Sequence, residues 1–203
     1  MNRHVLDEDN SIITVTGLLS PKECDSLISI AESHGFSEAP ITTAFGFAHR
    51  PDIRNNTRVM LDDAPLAEEL WMRVRPTVPE KQLGWQAVGL NERLRFYRYE
   101  AGQAFRWHYD GSFRRSALEQ SQLTLLIYLN EGFAGGSTMF KDGPVVAPRQ
   151  GMALLFRHPI LHQGEAVQTG YKYVLRSDVM YRRVAADRSR CEAFSRAVDP
   201  AEG

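Results

Sequence analysis

Leu94-Arg95-Phe96-Tyr97-Arg98-Tyr99-Glu100-Ala101-Gly102-Gln103-Ala104-Phe105-Arg106-Trp107-His108-Tyr109-Asp110 is the stretch on which the reading of the fold turns. Leu94 to Tyr99 alternates in residue type with the two-residue period of a strand. Glu100 to Gln103 then turns the chain, and Phe105 to Asp110 reads as a second strand. Downstream the pattern repeats in Leu123 to Asn130, Ser137 to Phe140, Met152 to Phe156 after Gly151, and a long Lys172 to Tyr181, with Gly, Asn and Pro turns between them. Upstream, Ile12 to Val15 reads as a short strand. Ser20-Pro21-Lys22-Glu23 supplies an N-cap, a proline at the first helical position and a glutamate at the third, ahead of Cys24, Leu27, Ile28 and Ala31 at helical spacing, with Gly35 as the stop. A second helix is predicted from about Pro65 to Arg75, entered through Asp62 and Asp63, with Leu66, Leu70 and Val74 on one face. Helices followed by a run of short strands predict an α+β, mainly β chain, a sandwich or jelly roll with the N-terminal helices packed on one sheet. On that reading Leu125, Ile127 and Leu129 form the helix-packed face.

The 203 residues suit a single domain, with a helical support part over about 1–84, a β core over about 85–183 and a tail over 184–203. Ala185 to Ala197 in that tail reads as a covering helix. Between the two helices, Thr42 to Arg58 is polar and without apolar period, which predicts a functional loop. Composition is ordinary for a globular protein, 43% hydrophobic and 24% charged. Lys plus Arg number 24 against 25 Asp plus Glu, with no basic stripe, which argues against a nucleic-acid binder working by phosphate neutralisation. No apolar run approaches the roughly 18–20 residues that span a bilayer, and the opening MNRHVLDEDN is acidic rather than signal-like. Cys24 and Cys191 have neither metal-site spacing nor a disulfide framework. These features predict a cytoplasmic protein with no membrane partner. Nothing sets the oligomeric state, and a homodimer is compatible with the sequence.

His108-Tyr109-Asp110 carries the chemistry. On a strand, residues i and i+2 share a face, so one imidazole and one carboxylate stand side by side. His162, at the start of a later strand, is the candidate third ligand. Two His and one carboxylate on one face of an octahedron leave three positions open, the arrangement of non-heme Fe(II) oxygenases. His158 is a rival third ligand. His4, His34 and His49 read as surface histidines, and Trp71, Trp85 and Trp107 as packing residues.

The surrounding motifs resemble the prolyl 4-hydroxylase-like branch of the Fe(II)/2-oxoglutarate dioxygenases. They are Tyr99-Glu100-Ala101-Gly102-Gln103 ahead of His108-Tyr109-Asp110; Tyr128-Leu129-Asn130; Gly135-Gly136-Ser137-Thr138-Met139-Phe140; Gly151 to Phe156; His162-Gln163-Gly164-Glu165-Ala166-Val167; and Gly170-Tyr171-Lys172. The resemblance implies a double-stranded β-helix (jelly roll) holding Fe(II) through His108, Asp110 and His162, with 2-oxoglutarate and O2 as co-substrates. Succinate and CO2 would be formed as a substrate C–H is hydroxylated, and ascorbate is compatible as a reductant. Retention of Asp110, where halogenating relatives carry a small residue, favours hydroxylation.

The resemblance assigns Lys172 to the distal carboxylate of 2-oxoglutarate. Arg176 is the alternative: it has the same strand parity but stands about 13 Å further on, and a guanidinium would clamp a carboxylate bidentately. Tyr128, Tyr99 and Thr138 complete the expected cofactor-binding set. Arg54, Asn56, Arg58 and Arg95 are the expected substrate contacts. The substrate is a small molecule, an amino acid or a prolyl peptide, and the arginines suit one that carries a carboxylate. The competing reading is a non-catalytic, metal-containing ligand-binding or sensor module of the same fold.

Overall fold

The structure, a computed structural model, describes residues 1–43, 46–82 and 84–184. The expected tail helix and Cys191 lie outside the described residues. Helix α1 spans Pro21–His34 and begins as its sequence dictates. The Ser20 hydroxyl accepts from the Glu23 amide, while the Ser20 amide donates to the Glu23 carboxylate at 2.7 Å. Helix α2 spans Ala64–Val74 under an Asp63 cap that accepts from the Leu66 amide at 2.9 Å. Its buried stripe is Ala67, Leu70, Trp71 and Val74, with Leu66 only partly buried. Arg73 ties the helices together, 2.7 Å from Glu23 and 2.6 Å from Glu69.

Among the described residues the larger sheet has 11 strands, with Ala153–Arg157, Glu119–Tyr128, Lys172–Arg183, Arg93–Tyr99 and Thr57–Asp62 adjacent in that order. A 4-stranded sheet runs Phe105–His108, His162–Gly164, Thr138–Phe140, Val145–Val146. The alternation in Arg93–Tyr99 divides two cores. Leu94 and Phe96 join Leu125, Ile127 and Leu129 in a cluster with Cys24, Leu27, Leu70 and Val74 of the helices. Tyr97 and Tyr99 join Tyr128, Phe140, Val146 and Phe156 between the two sheets. Helices thus close one face of the large sheet, and the small sheet closes the other. Among the described residues, no helix is long and apolar enough to cross a membrane.

Three local expectations are corrected. The strand expected to run from Phe105 to Asp110 ends at His108, so Asp110 stands in the following connection. Thr42 to Arg58 is not structureless: Ile41–Thr43 pairs with Gly46–Ala48, and Arg54 bridges to Phe105. Trp71 is buried and Trp85 packs on the same core, but Trp107 is 42% exposed. A register shift between Phe105 and His108 turns both of those rings toward the intersheet space and leaves Trp107 outside it.

Gly151 has φ +73°, and its carbonyl accepts from the Leu18 and Leu19 amides at 3.0 and 3.2 Å. A Cβ there would overlap the Leu19 carbonyl oxygen. Backbone strain alone costs about 1–3 kcal/mol at such a position, and each kcal/mol moves Tm by about 2–4 °C at this chain length. Gly151→Ala is therefore expected to lower Tm by at least about 2 °C in a thermal melt; an unchanged Tm would show that the loop relaxes freely.

Candidate active site

His108 and His162 face one another on neighbouring antiparallel strands, with ring centroids 4.2 Å apart. The His108 Nδ1 lies 2.7 Å from the Arg106 carbonyl, and the His162 Nδ1 lies 2.9 Å from the Ile160 carbonyl. A carbonyl only accepts, so each Nδ1 carries the proton and each bare Nε2 turns inward. Asp110 meets both: Oδ1 is 3.8 Å from the His108 Nε2, and Oδ2 is 3.7 Å from the His162 Nε2. Among the described residues these three make the only His/Cys/Asp/Glu group with ligand atoms all within 4.8 Å. His158, the rival ligand, is not part of it.

The electrostatics suit a cation. Burial, reinforced by His162, pushes the His108 imidazolium down to about 3 against the pull of Asp110. Burial likewise lowers His162. Burial would raise Asp110, but Arg176 above all, then His162, His108 and a hydrogen bond from Thr124, hold its carboxyl well below the usual range. Two bare imidazole nitrogens and an ionised carboxylate converge, a donor set that fits Fe(II).

Lys172 and Arg176 both line the intersheet cavity, together with Tyr97, Tyr99, Phe105, Leu126, Thr138 and Val174. Their neighbours separate them. The Arg176 Nη1 lies 2.8 Å from the Asp110 Oδ1, and its Nη2 lies 3.3 Å from the Asp178 Oδ1. Arg95, whose Nη1 is 3.0 Å from the Asp178 Oδ2, completes a row of alternating charge. Lys172 is 3% exposed, and its Nζ donates to the Gly136 carbonyl at 2.6 Å. It lies 5.2 and 5.5 Å from the Tyr99 and Tyr128 ring centroids. No carboxylate pairs with Lys172 among the described residues. Burial pulls its ammonium down to about 7, opposed only by Glu165. An anion entering from the cavity fits that vacancy of charge. The Tyr128 hydroxyl lies 2.8 Å from the Thr138 Oγ1, and of these two residues Thr138 lines the cavity.

Of the expected substrate contacts, Arg54 and Asn56 are buried together, with the Arg54 Nε donating to the Asn56 Oδ1 at 2.7 Å. The Arg54 guanidinium lies 4.4 Å from the Tyr97 ring centroid and 4.5 Å from that of Phe105, both cavity residues, and its buried Nη2 has no partner among the described residues. Arg58 stands opposite Tyr97 in the ladder but lines an outer groove with His34, Glu38 and His49. Arg95 pairs with Asp178 and is not among the residues that line the cavity.

Sequence reasoning missed Asp178, Thr124, Phe105 and Gly136. Asp178 shares strand parity with Lys172 and Arg176, which is the signal that could have found it. Phe105 stacks on His108 with centroids 3.4 Å apart. Gly136, at φ +69°, leaves room for the Lys172 stem, whose Cδ would be 3.1 Å from a Cβ there.

Residues 94–177 match the 2OG-Fe(II) oxygenase superfamily. The chain is 29% identical over 169 residues to probable prolyl 4-hydroxylase 6 of Arabidopsis thaliana, covering 69% of this chain and 55% of that protein. It thus spans about half the length of this curated relative. The fold is shared with a viral collagen prolyl hydroxylase from Paramecium Bursaria Chlorella virus-1, solved with 2OG (TM-score 0.59, 21% identity, 85% of this chain and 96% of that one). It is shared also with a Trichoplax adhaerens prolyl hydroxylase solved with a hypoxia inducible factor peptide fragment (TM-score 0.65, 16% identity, 91% and 87%). The jelly-roll architecture, the converging His-Asp-His group and these likenesses agree: over residues 94–177 the chain is similar to the 2OG-Fe(II) oxygenase superfamily, and its curated relatives support the prolyl 4-hydroxylase-like branch.

Proposed function

We propose that the protein is a 2-oxoglutarate-dependent hydroxylase, with His108, Asp110 and His162 holding Fe(II). The observation that carries this reading is Lys172: a buried ammonium without a carboxylate partner among the described residues, in the same cavity as the three ligands. Bound iron would supply the coupling of 2-oxoglutarate decarboxylation with O2 to hydroxylation of an unactivated C–H, releasing succinate and CO2.

The protein's own groups do the rest. Lys172 receives the distal carboxylate of 2-oxoglutarate, with Tyr128 and Thr138 offering hydroxyls beside it. Tyr99 and the Lys172 stem keep that end of the cavity dry, which strengthens the charge pairing. Arg176, already neutralised by Asp110 and Asp178, orients the ligand carboxylate rather than binding co-substrate. Arg54, fixed by Asn56 and set against the Tyr97 and Phe105 rings, has an N–H without a partner among the described residues and is the first candidate for a substrate contact. The substrate is therefore a small molecule or short peptide with a carboxylate or other anionic acceptor near the reacting carbon, and Arg58 is a weaker, outer contact. A cytoplasmic location and ascorbate as auxiliary reductant belong to the same reading.

The test is succinate formation from 2-oxoglutarate with Fe(II), ascorbate and O2. Free amino acids, their amides and proline-containing peptides are offered as separate pools. Stimulation by carboxylate-bearing compounds over their amides is the expected result. No succinate with any pool, from protein that retains iron, would move the protein to the metal-containing binding module.

A further inference from the structure

Asp110 lies beyond the end of the strand that carries His108, so no sheet ladder holds it. A chain of side chains does so instead. The Thr124 Oγ1 donates to the Asp110 Oδ2 at 2.6 Å and lies 3.1 Å from the His158 Nδ1. The His158 Nε2 lies 2.8 Å from the Ser121 Oγ, which accepts from the Phe113 amide at 2.8 Å. The direction of every bond follows from the first. An ionised carboxylate cannot donate, so the single Thr124 proton goes to Asp110, and the Thr124 oxygen accepts from the His158 Nδ1–H. Neutral His158 then presents a bare Nε2 that accepts the Ser121 proton. The Ser121 lone pair takes the Phe113 N–H. His158 and Thr124 are buried at 3% and 0% exposure, and Ser121 at 0%, so water does not substitute for any of these partners. Phe113 follows Asp110 in the same connection, and the Ser121 amide donates back to its carbonyl at 2.8 Å. The network therefore fastens the segment that bears Asp110 to the strand Glu119–Tyr128 at two points.

We infer that His158 and Thr124 are positioning residues for the metal site: His158, which touches no metal ligand, sets the direction of the Thr124 hydroxyl, and Thr124 holds the Asp110 carboxylate for metal. The inference rests on the reading of His108, Asp110 and His162 as ligands. Groups that orient a metal ligand in this way typically change metal affinity 10–100-fold when removed.

The experiment titrates Co(II), a spectroscopically visible divalent probe, into the apoprotein under anaerobic conditions, following its visible absorption. Thr124→Val, which keeps the shape and removes the hydroxyl, is expected to weaken Co(II) binding about 10–100-fold and alter the band shape. Thr124→Ser is expected to stay close to the parent. His158→Phe is expected to weaken binding by a smaller factor in the parent and not at all in the Thr124→Val background, because its influence passes through Thr124. Unchanged Co(II) affinity in Thr124→Val, or equal His158→Phe effects in both backgrounds, would overturn the inference even if Tm falls. Failure of the parent protein to bind Co(II) would overturn the ligand reading itself, and the inference with it.

Discussion

His162→Ala is expected to abolish Fe(II) retention and 2-oxoglutarate turnover while leaving the fold in place. Two of three protein ligands would remain. His108 and Asp110 belong to the segment on one side of the pair, and His162 is the lone contribution from the opposite strand. Its loss therefore converts a three-point holder into a one-sided one. The structural cost is modest by comparison. The imidazole gives up contacts with Phe156 and Phe140, at centroid distances of 4.5 and 6.0 Å, and its backbone pairing is unaffected. A buried truncation of this kind costs about 1–3 kcal/mol, so the apoprotein should melt cooperatively a few degrees below the parent. Iron content after desalting and succinate yield are the measurements. Near-normal iron and turnover would remove His162 from the triad.

Lys172→Ala should raise the 2-oxoglutarate concentration needed for half-maximal turnover by about 30-fold or more, while Fe(II) affinity changes little. Truncating one partner of a buried charge pair costs about 2–5 kcal/mol, and each 1.4 kcal/mol is tenfold. Arg176→Ala should behave in the opposite manner. Asp110 and Asp178 would lose their shared counter-charge, so metal affinity and stability suffer first and the 2-oxoglutarate requirement second. The reverse pattern, with the 2-oxoglutarate effect in Arg176→Ala alone, would exchange their roles. A pH dependence follows. Because burial lowers the Lys172 ammonium to about 7 in the ligand-free protein, its charged fraction falls as pH rises through that value. Affinity for the 2-oxoglutarate dianion should therefore weaken from pH 6.5 to 8.5, and Lys172→Arg, which stays charged, should flatten that slope.

Local signals carried most of the fold. Ser20 to Glu23 specified a helix start because a capping box is complete within four residues. Leu94 to Tyr99 shows the two-residue period of a strand in its sequence, and in the structure that alternation divides the helix-side core from the intersheet core. The site was legible to the extent that its members sit at short spacing or in strand register, as His108 and Asp110 do. What escaped depends on pairing between distant segments. Arg95 is an expected substrate contact by sequence, while the register places it opposite Arg176 and beside Asp178, residues that are local only in three dimensions. Thr124 was hidden in an apolar strand, where a single hydroxyl reads as tolerated polarity rather than as the donor to Asp110. His158, the rival to His162 as third ligand, bonds instead to Thr124 and Ser121 and stands outside the three-residue group.

The order of charges down the strand Lys172–Arg183 has a further consequence. Lys172 at one end is uncompensated, while Arg176 and Asp178 further along cancel one another and their neighbours. On the proposed role of Lys172, such a strand would work as a gauge of molecular length. A keto acid with a single carboxylate, such as pyruvate, could reach the iron ligands but would leave Lys172 without a counter-ion. A dicarboxylate one methylene shorter or longer than 2-oxoglutarate would misplace its far end against the Tyr99 and Tyr128 rings. Selection among keto acids would then reside in one unsatisfied cation at a set depth, and the rest of the cavity wall would be left to accommodate whatever substrate is to be oxidised.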